Sequence, residues 1–245
     1  MRTLVVMPTY DEVDNIAGML RRVRQTVPSA DILVVDDNSP DGTADRAEAV
    51  GADLGQVKVL RRPVKDGLGN AYRAGLAQGL DEGYDALVQM DADFSHDPAV
   101  LPVMLARLAD GADVVVGSRY VPGGSIPHWP AYRRALSRYG NRYAVALLGL
   151  DVADATAGFR AHRADLLRRI QVATTRANGY GFLMELARRT RQDGARVVEV
   201  PITFTDRVRG TSKMSVRIMA EAMALVTWWG VRDRIRSRRR RRHGH

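Results

Sequence analysis

The sequence contains no cysteine in its 245 residues, so disulfide bonds, thiolate metal sites and cysteine nucleophiles are excluded. It also lacks a long apolar run. The longest uncharged stretch near the C-terminus, residues 222–231, has ten residues, whereas a membrane-spanning helix needs about 20. These absences predict a chain without a transmembrane helix, and the lack of cysteine fits the reducing conditions of the cytoplasm.

Acidic residues are fewer than basic ones, and the imbalance is local. The chain has 37 lysine and arginine residues against 28 aspartate and glutamate residues, a net charge of +9. Residues 232–242 hold eight of the arginines and one of the aspartates, which leaves a charge of +2 on the rest of the chain. A tail of this kind binds phosphate-rich partners, either nucleic acid or anionic lipid. No nucleic acid partner is expected, because the charge excess does not cover a folded face with interleaved aromatic residues.

The segment before this tail has the pattern of an amphipathic helix. Trp228 and Trp229 stand directly before the arginines. Apolar residues recur at helical spacing: Ile218, Ala222, Leu225 and Trp229. An apolar stripe, tryptophans and a basic cluster are typical of a helix that lies on an anionic membrane surface. The alternative is a helix that packs on the core and is followed by a solvated tail, and both can hold. The sequence thus predicts a main folded domain at 1–214, a surface helix at 215–231 and a disordered arginine-rich tail at 232–245.

Strands and helices alternate in the first half of the chain. Apolar, β-rich runs predict strands at residues 4–7, 32–36, 57–61, 86–90 and 114–118, and helical patterns lie between them at 13–26, 43–50, 68–80 and 99–108. Helices at 132–148, 164–170 and 182–192 and a strand at 197–204 follow. This order predicts an α/β fold with a mostly parallel, Rossmann-like sheet covered by helices on both faces.

Polar clusters follow four of the predicted strands. They are residues 8–12, 36–39, 91–93 and 117–119. Ligands of such sheets bind beyond the carboxyl ends of the strands. We therefore expect these distant stretches to meet in one cleft.

Asp91-Ala92-Asp93 is the strongest chemical signal. Two carboxylates separated by one residue, just past an apolar strand, can present oxygen atoms to a hard cation such as Mg²⁺ or Mn²⁺, which would join them to a diphosphate. The alternative is a solvated turn or a helix cap, since Asp97-Pro98 starts a helix nearby. The other polar clusters favour the metal site.

Three further motifs have a structural and a functional interpretation. Asp36 is assigned to closing its strand and Asp41-Gly42-Thr43 to a turn and helix cap, which leaves Asp37 for a base or ribose. Residues 67–70 (GLGN) are interpreted as a tight turn that brings a helix close to a nucleotide. Glu185 is either a sugar contact or an exposed helix residue, and the second interpretation is preferred.

A family resemblance joins these motifs. The segments that carry it are 8–12 (PTYDE), 35–43 (VDDNSPDGT), 91–96 (DADFSH), 117–120 (GSRY), 154–160 (DATAGFR), 199–202 (EVPI), Asp206-Arg207 and 210–214 (GTSKM). Together they resemble the dolichol-phosphate (polyprenyl-phosphate) mannose synthases of glycosyltransferase family 2, which have the GT-A fold. The resemblance covers residues 4–214, and the segment around Arg207 and Lys213, with 129–141, narrows it to enzymes that use polyprenyl phosphates.

The resemblance implies a role for each matching residue. Guanosine would be held by Pro8, Tyr10, Glu12, Val35 and Asp37. The metal and diphosphate would be held by Asp91, Ala92 and Asp93, with Ser95 at a position where some relatives place a metal-contacting glutamine. Arg207 and Lys213 would close over the donor phosphates. The acceptor phosphate would be gripped by Arg119, Arg133 and Ser137, and a planar arginine suits bidentate phosphate binding.

The activity implied is the inverting, metal-dependent transfer of mannose from GDP-mannose to a polyprenyl phosphate, giving a β-linked product. A phosphate monoester has a second pKa of about 6, so at neutral pH the acceptor is mostly a dianion and needs no general base. The metal and basic residues, with Arg119 foremost, would screen the repulsion between two anionic substrates.

Other functions remain open on the sequence. One alternative is a transferase that uses UDP-glucose or another hexose donor with the same acceptor, although such enzymes commonly add C-terminal membrane helices. A nucleic-acid-binding protein and a binding domain without activity are more remote. We expect a cytoplasmic protein, peripheral at the inner face of the membrane and attached to anionic lipid by its C-terminal helix and tail. No pattern indicates an oligomeric state.

Overall fold

Strands and helices alternate along the chain as the sequence predicts. The computed structural model describes residues 1–206 and the backbone of residues 216–243, with side chains up to residue 206 and from 221 to 235. Its strands are β1 (Thr3–Thr9), β2 (Asp31–Asp36), β3 (Val57–Arg61), β4 (Ala86–Gln89), β5 (Val114–Ser118), β6 (Arg160–Arg163) and β7 (Val197–Pro201). Its helices are α1 (Val13–Thr26), α2 (Thr43–Leu54), α3 (Leu68–Asp81), α4 (Leu101–Ala109), α5 (Ala131–Leu148), α6 (Ala164–Arg169), α7 (Tyr180–Asp193) and α8 (Val216–His243).

The strands of the described residues form one sheet in the order β3-β2-β1-β4-β6-β5-β7. Pairing is parallel between β1 and β2, β2 and β3, β1 and β4, and β5 and β7. Only β6 runs antiparallel to both of its neighbours, β4 and β5. The predicted mostly parallel sheet is therefore confirmed. The strand order reverses direction between β1 and β4, and such a switch point is where ligands bind in open α/β sheets.

The sequence analysis missed β6, because its pattern does not look like a buried strand. Arg160 and His162 are both buried. The Arg160 guanidinium donates to the carbonyl oxygens of Ala155, Ala157 and Leu183, and burial lowers the pKa of Arg160 to about 10. Charged and ring side chains thus occupy positions where apolar residues usually mark a central strand.

Two apolar layers cover the sheet, one on each face. Alternate residues of β1 point to opposite faces, so Val5 and Met7 join the layer of α1, α2 and α4, whereas Leu4 and Val6 join the layer of α3, α5, α6, α7 and α8. Helices on both faces are therefore confirmed. All four of these β1 side chains are at most 1% exposed, so the strand that carries the first polar cluster is fixed on both sides.

Helix α3 lies unusually close to the sheet. A side chain at Gly75 would collide with Val6 and Val35, and one at Gly79 would collide with Leu4 and Leu87. Because α3 sits this near the strands, its fully buried Tyr72 reaches the end of β4.

Helix α8 packs against α5 and α7. Gly230 faces the backbone of Leu147, whose carbonyl oxygen would lie 2.8 Å from a Cβ at this position, and the Arg188 guanidinium of α7 is paired with Asp233 at 2.6 Å. The backbone of α8 continues to His243, so the helix does not give way to a tail at residue 231 as expected. Arginine is a good helix former, which accounts for this continuation. None of the helices that the structure describes combines the length and apolar character needed to cross a bilayer.

Candidate active site

A cleft of about 890 Å³ opens at the carboxyl ends of the strands. The polar clusters that follow β1, β2, β4 and β5 all reach it, so the structure brings together the distant stretches as expected. Ten of the predicted site residues line it: Pro8, Tyr10, Glu12, Asp37, Asp91, Ala92, Asp93, Ser95, Arg119 and Arg133.

Of the predicted site residues that the structure describes, Val35 and Ser137 do not line the cleft. The side chain of Val35 is fully buried in the sheet, so its contact with a ligand would have to come from the backbone. Ser137 lies on α5 and shares a hydrogen bond of 2.6 Å with the Tyr120 hydroxyl. Arg207 and Lys213 lie outside the described residues.

The Asp91-Ala92-Asp93 turn is fixed by its own side chains and by α3. The Tyr72 hydroxyl donates to Asp91 Oδ1 at 3.0 Å, and the Asp91 amide donates to Nδ1 of the buried His96 at 3.1 Å. Asp93 Oδ1 accepts from the Ser95 amide and hydroxyl, at 3.1 and 2.6 Å. This tight turn puts Phe94, between them, at a φ of 62°. Both carboxylates are therefore held in place at the cleft.

The two aspartates fit a hard divalent cation. Both line the cleft; the Asp91 side chain is 32% exposed and Asp93 is 3% exposed. Within the described part of the chain, no three histidine, cysteine, aspartate or glutamate side chains are grouped so that they could hold a metal ion. Two carboxylates are nevertheless a sufficient protein share for Mg²⁺ or Mn²⁺ when phosphate and water complete the coordination. Ser95 serves here as a donor to Asp93, and its direct contact with a metal stays a prediction.

Asp37 is paired with a residue that the sequence analysis did not single out. Arg62 follows β3, and its guanidinium bridges Asp37 and Asp66. Burial raises the pKa of the Asp37 carboxyl, and the charge of Arg62 opposes that rise. Nearby, the Lys65 ammonium lies 3.4 Å from the ring centroid of Tyr10 and also lines the cleft. This end of the cleft is therefore a polar pocket built from the ends of β1, β2 and β3.

The structural assignments of Asp36 and Asp41 agree with the geometry. Asp36 accepts from the Thr9 hydroxyl and from the Ser39 amide, and it thereby ties the ends of β1 and β2 together. Asp41 accepts from the Thr43 amide, and its second oxygen accepts from the amide of Val13. Val13 is the first residue of α1, so Asp41 satisfies an amide that the helix itself cannot.

Arg119 is locked in a buried ion pair. Its Nε and Nη2 donate to the two oxygens of Asp154 at 2.7 and 2.8 Å, and both side chains are at most 7% exposed. Burial lowers the pKa of Arg119, but the bonds to Asp154 more than offset this, so the pKa is raised and the guanidinium stays charged. Its charge is largely balanced by Asp154, so that Arg119 offers geometry rather than a strong attraction.

Arg133 is held more loosely, at the start of α5. Its guanidinium lies 3.8 Å from the ring centroid of Trp129, and its Nη1 is 3.1 Å from Asp206 Oδ1. The Trp129 indole donates to the same oxygen at 2.8 Å. The Arg133 side chain remains 29% exposed. Two arginines of different character, one buried and one accessible, thus line the cleft.

The profile of the family described as "Glycosyl transferase family 2" matches residues 4–171, more than half of the chain. The chain belongs to glycosyl transferase family 2.

Two relatives are similar to this transferase over nearly its whole length. It is 50% identical over 234 residues to an undecaprenyl-phosphate mannosyltransferase of Micrococcus luteus, covering 96% of each chain. It is 47% identical over 235 residues to a polyprenol monophosphomannose synthase of Mycolicibacterium smegmatis, covering 96% of this chain and 89% of the relative. The resemblance to the polyprenyl-phosphate mannose synthases is therefore confirmed.

Among solved structures, the transferase is similar to a mannosyltransferase of Pyrobaculum calidifontis in complex with GDP-Man and Mn²⁺. The TM-score is 0.58 at 15% identity, over 93% of this chain and 69% of the other. At this identity the similarity shows the fold alone, and the GT-A fold is confirmed.

One wall of the transferase cleft is a loop anchored by Glu185, which is neither an exposed residue nor free to contact a sugar. Glu185 is 6% exposed. Its Oε2 accepts from the amides of Arg176 and Ala177 at 2.8 and 2.9 Å, and its Oε1 accepts from Arg189 at 2.6 Å. The loop leads into Asn178, which lines the cleft. Glu185 therefore acts on the site through the backbone of this loop.

The same loop explains the glycines that open α3. A Cβ at Gly69 would lie 2.8 Å from the carbonyl oxygen of Ala177 and 3.1 Å from Asn178 Cα. Gly67 and Leu68 line the cleft. The sequence analysis related this turn to a nucleotide, and the structure adds that Gly69 lets the loop pack against the helix.

The apolar stripe expected to face a membrane points inward on α8. Ala222 and Leu225 line the cleft and Trp229 is 7% exposed, whereas Trp228 is 55% exposed. The paired tryptophans therefore have different environments, and the core-packing interpretation holds for the inner stripe. The Ile218 side chain lies outside the described residues.

Proposed function

We propose that the protein transfers mannose from GDP-mannose to a polyprenyl (dolichyl-type) phosphate, with inversion at the sugar carbon to give a β-linked product. The observation that carries the proposal is the convergence of paired carboxylates and arginines from distant parts of the chain on one cleft: Asp37, Asp91, Asp93, Arg119 and Arg133. Such a cleft can hold a nucleotide diphosphate and a second phosphate together.

The donor would occupy the part of the cleft at β1, β2 and β4. Pro8, Tyr10 and Glu12 would hold the guanosine with Val35 and Asp37, and an ionised Asp37 can accept hydrogen bonds from base or ribose. Asp91, Ala92 and Asp93 would hold the diphosphate and Mg²⁺ or Mn²⁺, and such an ion, when bound, neutralises the charge that develops on the departing diphosphate. Ser95 would steady Asp93 for this task.

The acceptor phosphate would lie between Arg119 and Arg133. A phosphate dianion is already nucleophilic, so no residue needs to remove a proton from it. The Arg119 guanidinium would orient it, and the more accessible Arg133 would also reduce its repulsion by the donor. Arg119 is preorganised by Asp154, and Ser137 would act near the same place through Tyr120. Arg207 and Lys213 would close over the donor phosphates.

A membrane contact is supported by α5 as well as α8. On α5, large exposed side chains recur at helical spacing: Tyr132 (74% exposed), Leu136 (55%), Tyr139 (70%) and Tyr143 (37%). On α8, Trp228, Val231 and Ile235 are about half exposed and also share one face. The two stripes adjoin where the hydroxyls of Tyr143 and Thr227 share a hydrogen bond of 2.6 Å.

Arginines flank both stripes, at positions 134, 138 and 142 on α5 and at 232 and 234 on α8. Exposed aromatic residues beside basic ones are typical of surfaces that lie on anionic lipid. Arg133 stands one position after Tyr132, so a lipid chain in the membrane could deliver its phosphate directly to the cleft. We therefore place the protein at the inner face of the membrane, as a peripheral protein.

The test is a comparison of donors. Purified protein is incubated with a polyprenyl phosphate and either GDP-mannose or UDP-glucose, each with Mg²⁺ or Mn²⁺, and the lipid product is isolated and its anomeric configuration is read by NMR. GDP-mannose should give a β-linked lipid-phosphate mannose at a rate at least about tenfold above UDP-glucose, since a polar pocket rejects a base that leaves its groups unpaired. Preferential use of UDP-glucose, or an α-linked product, would contradict the proposal.

A further inference from the structure

Asp206 is paired with Arg133, the cation that the acceptor phosphate would need. Its Oδ1 accepts from Arg133 Nη1 at 3.1 Å and from the Trp129 indole at 2.8 Å. Asp206 itself lines the cleft. A carboxylate in this position presents to Arg133 the same kind of oxygen that a phosphate presents.

The ion pairs of the two cleft arginines differ in how easily they can be exchanged. Asp154 and Arg119 are buried and joined by two hydrogen bonds, so separating them would strand charges away from water. Asp206 and Arg133 are 46% and 29% exposed and are joined mainly through one nitrogen. Exposed pairs of this kind contribute little to stability. Of these two arginines, only Arg133 can therefore leave its carboxylate partner and bind an incoming anion.

We propose that Asp206 is an internal counter-ion of the acceptor site, which the acceptor's phosphate dianion displaces from Arg133 and which recaptures Arg133 from the product. The inference rests on the proposed function, because it takes Arg133 as a ligand of the acceptor phosphate.

The charge balance of the reaction gives this exchange a direction. In the transfer, an oxygen of the phosphate monoester forms a bond to the sugar carbon, the bond from that carbon to the diphosphate breaks, and the electron pair leaves with the diphosphate. The acceptor changes from a monoester with a charge of about −2 to a diester with a single negative charge. The dianion competes with a carboxylate for Arg133 better than the monoanion does. Asp206 weakens the binding of both by the same factor, and this promotes release of the product, which Arg133 binds less tightly than the substrate.

The residue before Asp206 contacts the donor side of the cleft. The Thr205 hydroxyl donates to the carbonyl oxygen of Phe94, at the Asp91–Asp93 turn, at 3.2 Å. Asp206 would therefore exchange with the acceptor phosphate close to the turn that is proposed to hold the metal.

The experiment measures binding of two probes, geranyl phosphate (a monoester) and its methyl ester (a diester), by calorimetry. Asp206→Asn removes the charge but keeps an acceptor for Trp129. It should tighten binding of both probes by a similar factor, about threefold to tenfold, because both must displace the same counter-ion from Arg133. Asp233→Asn is the matched control, because Asp233 pairs with Arg188 beside Trp229 outside the cleft, and it should change neither affinity.

A second measurement follows Trp129 in the wild-type protein. Its indole N–H bond to Asp206 should break when geranyl phosphate binds, which shifts the indole signal in a ¹H–¹⁵N spectrum assigned with tryptophan variants. An unmoved signal, or an Asp206→Asn variant that binds both probes no more tightly than wild type does, overturns the counter-ion role. Arg133→Gln separates this failure from that of the proposed function. If Arg133→Gln binds geranyl phosphate as tightly as wild type, the acceptor site itself is wrong; if it binds weakly while Asp206→Asn has no effect, only the counter-ion role fails.

Discussion

Asp37 and Arg62 form the ion pair at the nucleotide end of the cleft, and the charge of Asp37 depends on it. Burial raises the pKa of Asp37 above 3.8, and Arg62 opposes the rise by its charge and its hydrogen bond. Above its raised pKa the buried carboxyl is ionised and lowers the stability of the fold. This loss of stability disappears as the pH falls through the raised pKa. Nucleotide binding has the opposite pH dependence. A base or ribose group that donates a hydrogen bond to the Asp37 carboxylate loses that bond when Asp37 is protonated.

Replacing Arg62 by glutamine should therefore shift the pH dependence of GDP affinity. Without the arginine, the pKa of Asp37 rises further, so affinity should begin to fall at a higher pH than in wild type, and it should be lower by about tenfold at neutral pH. Calorimetric titration of GDP between pH 4 and 8 checks this. Arg61→Gln is the control, since Arg61 pairs with Asp45 and Glu48 outside the cleft. Identical pH profiles for wild type and Arg62→Gln would contradict the role given to Arg62.

The sequence predicts the lining of the cleft where a strand end carries acids, but not where a role depends on a partner. The rule that ligands bind past the strand ends predicts that Asp37, Asp91 and Asp93 lie at the cleft, as they do, and their roles there stay a prediction. The same rule applied to β3 would have found Arg62 and Lys65, which the sequence analysis passed over. Asp154 was noted only within a motif. The roles of Asp154 and Asp206 follow from the arginines they meet, and no spacing in the sequence announces those contacts.

Packing between elements sets the shape of the cleft, and the loop before α7 is the clearest case. Three groups hold it: the Glu185 carboxylate, Gly69 and Arg73, whose Nη1 donates to the carbonyl oxygen of Ala177 at 2.9 Å. Periodicity predicts α3 and α7 nearly as observed. It says nothing about the contact between them, which Gly69 permits, and it does not reveal β6, where Arg160 is buried.

Gly69→Ala should disturb this wall. The new Cβ would meet backbone atoms of Ala177 and Asn178, and such overpacking costs about 1–3 kcal/mol. We expect a loss of this size in the free energy of unfolding, measured with urea, together with weaker GDP binding. Gly140→Ala on α5 is the control, because a Cβ there meets nothing within 4 Å and should stabilise the helix by about 0.5–1 kcal/mol. Equal effects of the two substitutions would contradict the close approach.

On the scale of the whole molecule, the cleft and the proposed membrane face lie next to each other because α5 contributes to both. Its Arg133 lines the cleft, and its Tyr132, Leu136 and Tyr139 are exposed. The sequence indicates an amphipathic C-terminal helix but leaves open whether its stripe faces lipid or the core, since apolar periodicity alone does not tell a core-facing stripe from a lipid-facing one. The sequence does not indicate a membrane-facing role for α5, because the exposure of its tyrosines depends on how the helix packs in the fold.

The double substitution Tyr139→Glu with Trp228→Glu should release the protein from vesicles that contain anionic lipid. Burying a large apolar side chain contributes about 1.5–3 kcal/mol, so we expect the partition constant for vesicle binding to fall by at least about tenfold. Turnover of a water-soluble prenyl phosphate should persist. Val103→Glu on α4, where the side chain is 49% exposed, is the control and should leave vesicle binding intact. Unchanged co-sedimentation of the double variant would refute this face.

In the proposed reaction, Asp91 and Asp93 hold a divalent ion against the donor's diphosphate in one cleft. The most direct measurement is mannose transfer from GDP-mannose to a polyprenyl phosphate in wild type, Asp93→Ala and Asp97→Ala, each with and without a chelator. Asp97 caps the turn at Pro98–Val100 and does not line the cleft. Chelation should abolish wild-type transfer, and Mg²⁺ or Mn²⁺ should restore it. Asp93→Ala should lose at least about a hundredfold at every metal concentration, whereas Asp97→Ala should remain active. Transfer that resists the chelator, or an Asp93→Ala protein as active as wild type, would contradict this role of Asp91 and Asp93.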